Sequence, residues 1–269
     1  MSAPSITLRL ATRSDLLSLR QTVDLIGRSQ QRLSSGVRVN APVDNPSAYF
    51  GAQSLRNRGD DFGNAKDAIG QAVNTVKSGL DGLTAVTEIL GQMKALAEQV
   101  LAGQGSAPEL NAQFNELRGQ IDTIANDAGY QGVNLIGGAN TLKINFNENA
   151  ATEQTITGTT NTASGLALDA VSISNAAAAS DAIAALAGAL SSVRARSTAL
   201  GSNASFLQIG LDFNTRHINT LQEGADKLTL SDANEEAANL TALQTRQQVG
   251  TSALALAAQS ERSILALFQ

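Results

Sequence analysis

The chain has no cysteine, no tryptophan, one histidine, four prolines and only 3% aromatic residues among its 269 positions. Each shortage excludes something. Without cysteine there is no disulfide framework, thiolate nucleophile or Cys-ligated zinc. His217, the single group able to act as a general base near neutral pH, has no second imidazole or thiol to complete a site. Aromatic side chains usually dominate core packing, yet here 42% hydrophobic content is reached almost without them. Small and aliphatic residues of this kind suit long helices packed at close range. Positive charge is also short, with 19 Lys and Arg against 24 Asp and Glu and a net charge of −5. No cationic surplus exists to neutralise a nucleic acid's phosphates. No apolar run approaches the roughly 18 residues of a membrane span, so neither nucleic acid nor membrane is an expected partner. Arg9, Arg13 and Asp15 interrupt any secretory h-region, which makes export without a cleaved signal the expectation. No phosphate-binding glycine loop, zincin helix or catalytic Ser/His/Asp order is present. The chain therefore reads as a non-enzyme with no cofactor and no metal.

What is abundant is apolar residues at alternating three- and four-residue steps. From Ile183 the register runs Leu186, Leu190, Val193, Ser197, Leu200, Ala204, Leu207, Leu211, Asn214, Ile218, Leu221, Ala225, Leu228. A seam this long defines one face of a helix roughly 70 Å in length. Ser197 and Asn214 interrupt it and are expected to fix register. Leu16, Leu19, Val23, Ile26, Gln30, Leu33 and Val37 repeat the spacing near the start of the chain. So do Ile69, Val73, Val76, Leu80 and Leu83, and again Leu110, Phe114, Leu117, Ile121, Ile124 and Ala128, with Gly129 in C-cap position. Leu240, Leu243, Gln247, Gly250, Leu254, Ala257, Glu261, Ile264 and Phe268 carry a weaker version at the other end. The fold class is mainly α, long antiparallel helices in coiled-coil-like bundles, with a small β-hairpin region in the middle. Thr141–Phe146 alternates as a half-buried strand does, and Thr155–Thr157 and Leu166–Leu168 are candidate short strands. Asp60-Asp61 and Glu235-Glu236 read as solvated charge, and His217 as an exposed or packed side chain rather than a catalyst.

The two ends stand apart. Isolated helices are marginal in water and gain stability by burying an apolar face, yet Ile264, Leu265, Leu267 and Phe268 crowd the last residues. The economical arrangement pairs the ends with each other and with further copies of the chain.

Four motifs sharpen this. Gln31-Arg32-Leu33-Ser34-Ser35-Gly36-Val37-Arg38-Val39-Asn40 resembles the N-terminal signature of bacterial flagellins. Tyr130-Gln131-Gly132-Val133-Asn134-Leu135-Ile136 resembles the segment that closes the family's first helical hairpin. Gln247-Gln248-Val249-Gly250-Thr251-Ser252-Ala253-Leu254 with Ala258-Gln259, and the closing Ser263-Ile264-Leu265-Ala266-Leu267-Phe268, are similar to its C-terminal patterns. Ala41-Pro42-Val43-Asp44-Asn45-Pro46 departs from the commoner family sequence. It looks like the alpha-proteobacterial variant, and its Asp-x-Pro element also occurs in hook–filament junction adaptors, the alternative reading.

The resemblance implies a minimal flagellin, a structural subunit polymerising head-to-tail into the hollow filament used for motility. The expected division is an inner domain of residues 1–34 and 229–269, a spoke-like linker at 35–46, an outer rod of 47–139 and 176–228, and a variable hairpin region at 140–175. The implied polymerisation interface comprises Leu16, Leu19, Val23, Ile26, Leu33, Leu240, Leu243, Leu254, Ile264, Leu265 and Phe268. Thr152, Thr155, Thr157, Thr159, Thr160 and Thr162 would be the accessible acceptors for O-linked glycans. Implied partners are further copies, other flagellins, the flagellar type III export apparatus, a chaperone, and cap and hook-junction proteins, and the implied location is the extracellular filament. Enteric-type flagellins also carry an arginine and a glutamate in an outer-helix stretch where the vertebrate receptor docks. Gln92 and Ala95 replace them here, so weak receptor activation is expected.

Overall fold

The structure is a computed structural model that describes residues 10–147 and 152–266. Of the described residues, 75% are helical. Five helices are present among the described residues: α1 (Leu10–Ser35), α2 (Pro46–Leu101), α3 (Ala107–Asp127), α4 (Ala176–Thr229) and α5 (Ala233–Ala266). Two antiparallel ribbons lie between α3 and α4: β1 (Gly129–Tyr130) with β2 (Val133–Asn134), and β3 (Thr141–Asn145) with β4 (Glu153–Thr157). Chain contacts divide into two compact units, one built from the two ends as far as Arg56 and from Gln222 onward, the other from Asn57 to Leu221.

In the second unit the expected α4 seam is the buried face. Leu186, Val193, Leu200, Leu207 and Leu221 are buried, and Leu190, Ala204, Leu211 and Ile218 are half-buried. Leu186, Val193, Leu200 and Leu207, with Leu190, Ala204 and Leu211 packed against them, join Ile69, Val76, Leu83, Leu90 and Met93 of α2 and Phe114 and Ile121 of α3 in one core. Asn214, one of the two polar seam residues, is fully buried and its Nδ2 donates to the carbonyl of Phe146 at 3.2 Å. Its role is thus to dock the β3–β4 hairpin onto α4. The Phe146 ring lies over Gly210, one turn earlier, where any Cβ would overlap it.

Two local expectations change. Helix α3 ends at Ala128, whose N–H donates to Ile124 O at 3.0 Å, and Gly129 starts β1 instead of capping. The Asn134 amide supplies the missing donors to the last carbonyls, at 2.8 Å to Ala125 and 2.9 Å to Asn126, so a left-handed glycine is not needed. Leu166–Leu168 is a succession of turns rather than a strand, with Leu166 N–H bonding Thr162 O and Leu168 N–H bonding Ala163 O. Leu166 and Leu168 are buried while Ala167 is exposed, and that in–out pattern is what a strand would also write into the sequence.

A third correction concerns α4. By length and composition it is apolar enough to cross a membrane, although only 28% of its most apolar window is buried within the chain. The alanine-rich stretch reaches that level with few large side chains, which a search for a continuous run of bulky residues overlooks.

Candidate assembly surfaces

In the first unit, α1 and α5 lie side by side. Helix α1 ends on Gly36, which adopts φ +68 and donates its N–H to Arg32 O at 2.8 Å, the left-handed stop that a residue without Cβ supplies at little cost. The following segment is stitched to the end of α4. Arg38 N–H and Val39 N–H both bond Thr229 O, and Ser231 N–H returns to Gly36 O at 3.0 Å. Arg56 reaches the same place, 3.1 Å from Thr229 Oγ1 and 3.6 Å from Asp226. The turn toward α2 is tied by Asp44 Oδ2, which accepts from Asn40 N–H and Ala41 N–H. Asn45 Oδ1 then accepts from Ala48 N–H just as Pro46 opens the helix. Helix α5 begins where Asp232 Oδ1 accepts the N–H groups of Asn234 and Glu235. Two glutamates in its first turn complement the helix dipole.

Glu236 departs from the expectation of solvated charge. It is buried at 6% exposure, accepts the Ser29 hydroxyl at 2.9 Å, and pairs with the Arg32 guanidinium at 3.2 Å. Asp60, Asp61 and Glu235 are exposed as expected. The α1 seam also shifts. Thr22, Ile26 and Ser29 form its buried line, while Val23 and Gln30 face outward. Two hydroxyls can replace apolar residues there because each is satisfied, Thr22 by Ser18 O at 2.9 Å and Ser29 by Glu236.

The proposed interface residues consequently fall into groups. Ile26 is buried, and Leu16, Leu19, Leu240, Leu243 and Leu254 are half-buried. The δ-methyl of Leu19 comes within 3.4 Å of where a Cβ of Gly250 would stand. Val23 and Leu33 are exposed at 46% and 39%. Ile264 and Leu265 belong to α5, but their side chains, like all of Phe268, lie outside the described residues. Sequence reasoning passed over Leu17 and Leu25 of α1 and Val249 and Leu256 of α5, exposed at 59%, 38%, 64% and 67%. The available signal was that these helices carry apolar residues off the seam as well as on it.

Elsewhere the surface offers little chemistry. His217 is half-buried, edge-on to Phe62 at 4.6 Å and stacked on Phe213 at 5.7 Å. A cleft of about 460 Å³ between α2 and β3 is lined by a mixture of amide and small or aliphatic side chains, with Asp61, Lys143 and Tyr130 at its walls. The Tyr130 hydroxyl is engaged with Gln71 at 2.9 Å. Lys143 is engaged with Glu153 at 2.9 Å, and that hydrogen bond holds the Glu153 carboxyl below its ordinary range. Among the described residues no three His, Cys, Asp or Glu side chains gather as metal ligands. Of the threonines, Thr152, Thr155, Thr157, Thr159 and Thr160 are exposed and Thr162 is half-buried.

The described residues form helical bundles with α1 and α5 paired and apolar side chains left on the outside of both. Comparison with known proteins specifies the class. The model of the bacterial flagellin N-terminal helical region matches residues 7–141 and that of the C-terminal helical region matches residues 183–268. The chain belongs to the bacterial flagellin family. Flagellins FljM and FljO of Caulobacter vibrioides are each 30% identical over the whole of both chains, and a flagellin of Brucella melitensis is 26% identical over 97% of this chain and 99% of its own. These relatives are alpha-proteobacterial. A Bacillus cereus flagellin crystal structure is 22% identical, with a TM-score of 0.48 over 56% of this chain and 88% of that one. The family is one of structural filament subunits, which favours that role over the junction adaptor.

Proposed function

We propose that the chain polymerises head-to-tail through its paired terminal helices into the hollow flagellar filament. The observation that carries this reading is the state of α1 and α5. Their seam is largely consumed within the chain, yet Leu17, Val23, Leu25, Val249 and Leu256 remain outward-facing. Fully burying such a side chain contributes roughly 1.5–3 kcal/mol, so contact with neighbouring copies is the available gain. Contacts between different faces of identical subunits, with a rotation that does not close, build an open helical tube.

The finer parts of the reading rest on the family resemblance. The inner domain takes residues 1–34 and 229–269, the linker 35–46, the rod 47–139 and 176–228, and the hairpin region 140–175. The extracellular location is reached by the flagellar type III route, with a chaperone, cap and hook-junction proteins as transient partners. The exposed threonines around β4 carry O-linked glycans on native filaments. Seeded assembly followed by electron microscopy tests the core of the proposal. The full chain is expected to form filaments, and a chain lacking residues 250–269 to remain a folded, mostly helical monomer. Normal filaments from the truncated chain would remove the terminal helices from the interface.

A further inference from the structure

The cleft between α2 and β3, about 460 Å³ in volume, is built wholly from the second unit. Four successive residues of β3, Leu142 to Asn145, line it. A strand face would contribute every other residue, so β3 presents its edge to the cleft. The ladder shows which groups lie along that edge. Gly158 N–H bonds Asn140 O at 2.7 Å and Phe146 N–H bonds Thr152 O at 3.2 Å, which puts the even-numbered residues of β3 in the hydrogen-bonded pairs with β4. The main-chain N–H and C=O groups of Lys143 and Asn145 therefore point away from β4, on the side of β3 that no other strand covers.

The rest of the lining divides by burial. Ala72 and Ile144 are buried and Ala65 and Val133 half-buried, which gives the cleft an apolar floor. Its rim is exposed and polar. The side chains of Asp61, Asn64 and Asn145 make no hydrogen bond among the described residues. Gln71 and Gln131 are positioned in advance, since Gln71 Oε1 accepts the Tyr130 hydroxyl at 2.9 Å and Gln131 Nε2 at 3.2 Å. The Gln71 amide N–H groups and the Gln131 side-chain carbonyl are left for a ligand. Gln131 holds its place from the left-handed region, at φ +48, where its Cβ is disfavoured. Of the two charged residues on the walls, Lys143 is paired with Glu153 at 2.9 Å, which leaves the Asp61 carboxylate unopposed.

We propose that this cleft is a binding site for a neutral saccharide, taking a short stretch of an oligosaccharide. Three features select that chemistry. A sugar ring carries apolar C–H faces and a rim of hydroxyls, which match the floor and the rim of the cleft. Each hydroxyl both donates and accepts, and side-chain amides and an unpaired strand edge offer donors and acceptors side by side. Asp61 can accept from hydroxyls but repels an anion, so acidic sugars and phosphates are disfavoured. The volume falls within the roughly 300–1,000 Å³ of small-ligand sites. The inference stands apart from the filament reading, because every group belongs to one unit of one chain. An extended peptide adding to the β3 edge is the rival occupant.

The test titrates cellobiose, lactose and N,N′-diacetylchitobiose into the unassembled, isotope-labelled full chain and follows amide chemical shifts. At least one disaccharide should saturate in the millimolar range, with the largest shifts at Gln131, Lys143 and Asn145. The double variant Asn64→Ala, Asn145→Ala should keep the wild-type circular dichroism, since both side chains are exposed, and should bind about tenfold or more weakly. Ala68→Trp, which fills the cleft from an exposed position on α2, should abolish binding. Cellobiouronic acid should bind more weakly than cellobiose to the wild-type chain and equally well to Asp61→Asn. No saturable shift with any of the three disaccharides would overturn the proposal, as would shifts that map away from the cleft or undiminished binding by Ala68→Trp or the double variant. A wild-type preference for the acid would overturn the choice of a neutral ligand. Binding of a blocked Thr-Val-Thr-Val-Thr peptide to the same amides, about tenfold more tightly than any disaccharide, would make the cleft a strand-binding groove instead.

Discussion

Replacing Gly210 by alanine should destabilise the second unit, although the same change elsewhere on α4 should stabilise it. A Cβ at Gly210 would stand 2.7 Å from Phe146 Cδ1 and nearer still to Cε1. Carbon atoms rest at about 3.5–4.0 Å, so the ring must retreat by roughly 1 Å. It is not free to do so. Its carbonyl accepts the Asn214 amide, its N–H bonds Thr152 O at 3.2 Å, and its ring packs edge-on to Phe206. Overpacking of this kind costs about 1–3 kcal/mol, and loosening the ring pair adds about 0.5–1.5 kcal/mol. The gain in helix propensity returns about 1 kcal/mol. The net loss is on the order of 1–3 kcal/mol. Gly201 supplies the control, because a Cβ there meets nothing within 4 Å, and Gly201→Ala should be stabilising by up to about 1 kcal/mol. Thermal unfolding followed by circular dichroism should separate the two variants by roughly 5–10 °C. Hydrogen exchange should show faster opening at Ile144 and Ile156 in Gly210→Ala alone. Equal stabilisation by both substitutions would refute the packing argument.

Glu236→Ala should destabilise the α1–α5 pairing by about 2–3 kcal/mol, since it strands the buried Ser29 hydroxyl and unpairs Arg32; Glu236→Gln should lose less, and urea unfolding monitored on the full chain distinguishes them. Because the Glu153 carboxyl is held below its ordinary range by Lys143, its contribution is present above the unfolded carboxylate range and fades as pH falls through the lower folded value. Lys143→Met should therefore shift the Glu153 titration upward in a carbon-detected NMR experiment, with little change in stability at so exposed a site. At the outer surface, Gln92 and Ala95 are both exposed. A reporter-cell assay should show weak signalling from the wild-type monomer and stronger signalling from Gln92→Arg, Ala95→Glu. Intact-mass analysis of native filaments should place added hexose-type mass on peptides spanning Thr152–Thr162.

Much of this architecture is legible in the amino-acid sequence, because apolar periodicity is a property of a single helix. The thirteen-position seam from Leu186 onward needed no partner to be recognised, and in the fold every one of its positions is buried or half-buried. The alternation at Thr141–Asn145 likewise marked a strand that pairs with Glu153–Thr157. Leu166–Leu168 shows the limit, since a chain of turns that buries alternate side chains writes the same pattern as a strand. The α1 seam shows another. Stepping from Leu19 to Val23 keeps the apolar rule, whereas the helix turns Thr22 and Ser29 inward, Thr22 bonded to Ser18 O of its own helix and Ser29 to Glu236 of α5.

The sequence by itself determined the helices, their approximate ends, the paired termini and the family, because propensity, spacing and motif order are local or read in chain order. Tertiary structure decided which polar groups are buried and which apolar ones are left in water. Glu236 became a buried partner because Ser29 lies 207 residues away in the chain and 2.9 Å away in space. Gly210 became indispensable through the Phe146 ring, and Asn214 a hairpin anchor through a carbonyl on another element. Phe206, Ile209 and Phe213 repeat the seam's three- and four-residue steps on the other side of α4. Only the packing of α2 and α3 shows which of the two lines the core consumes.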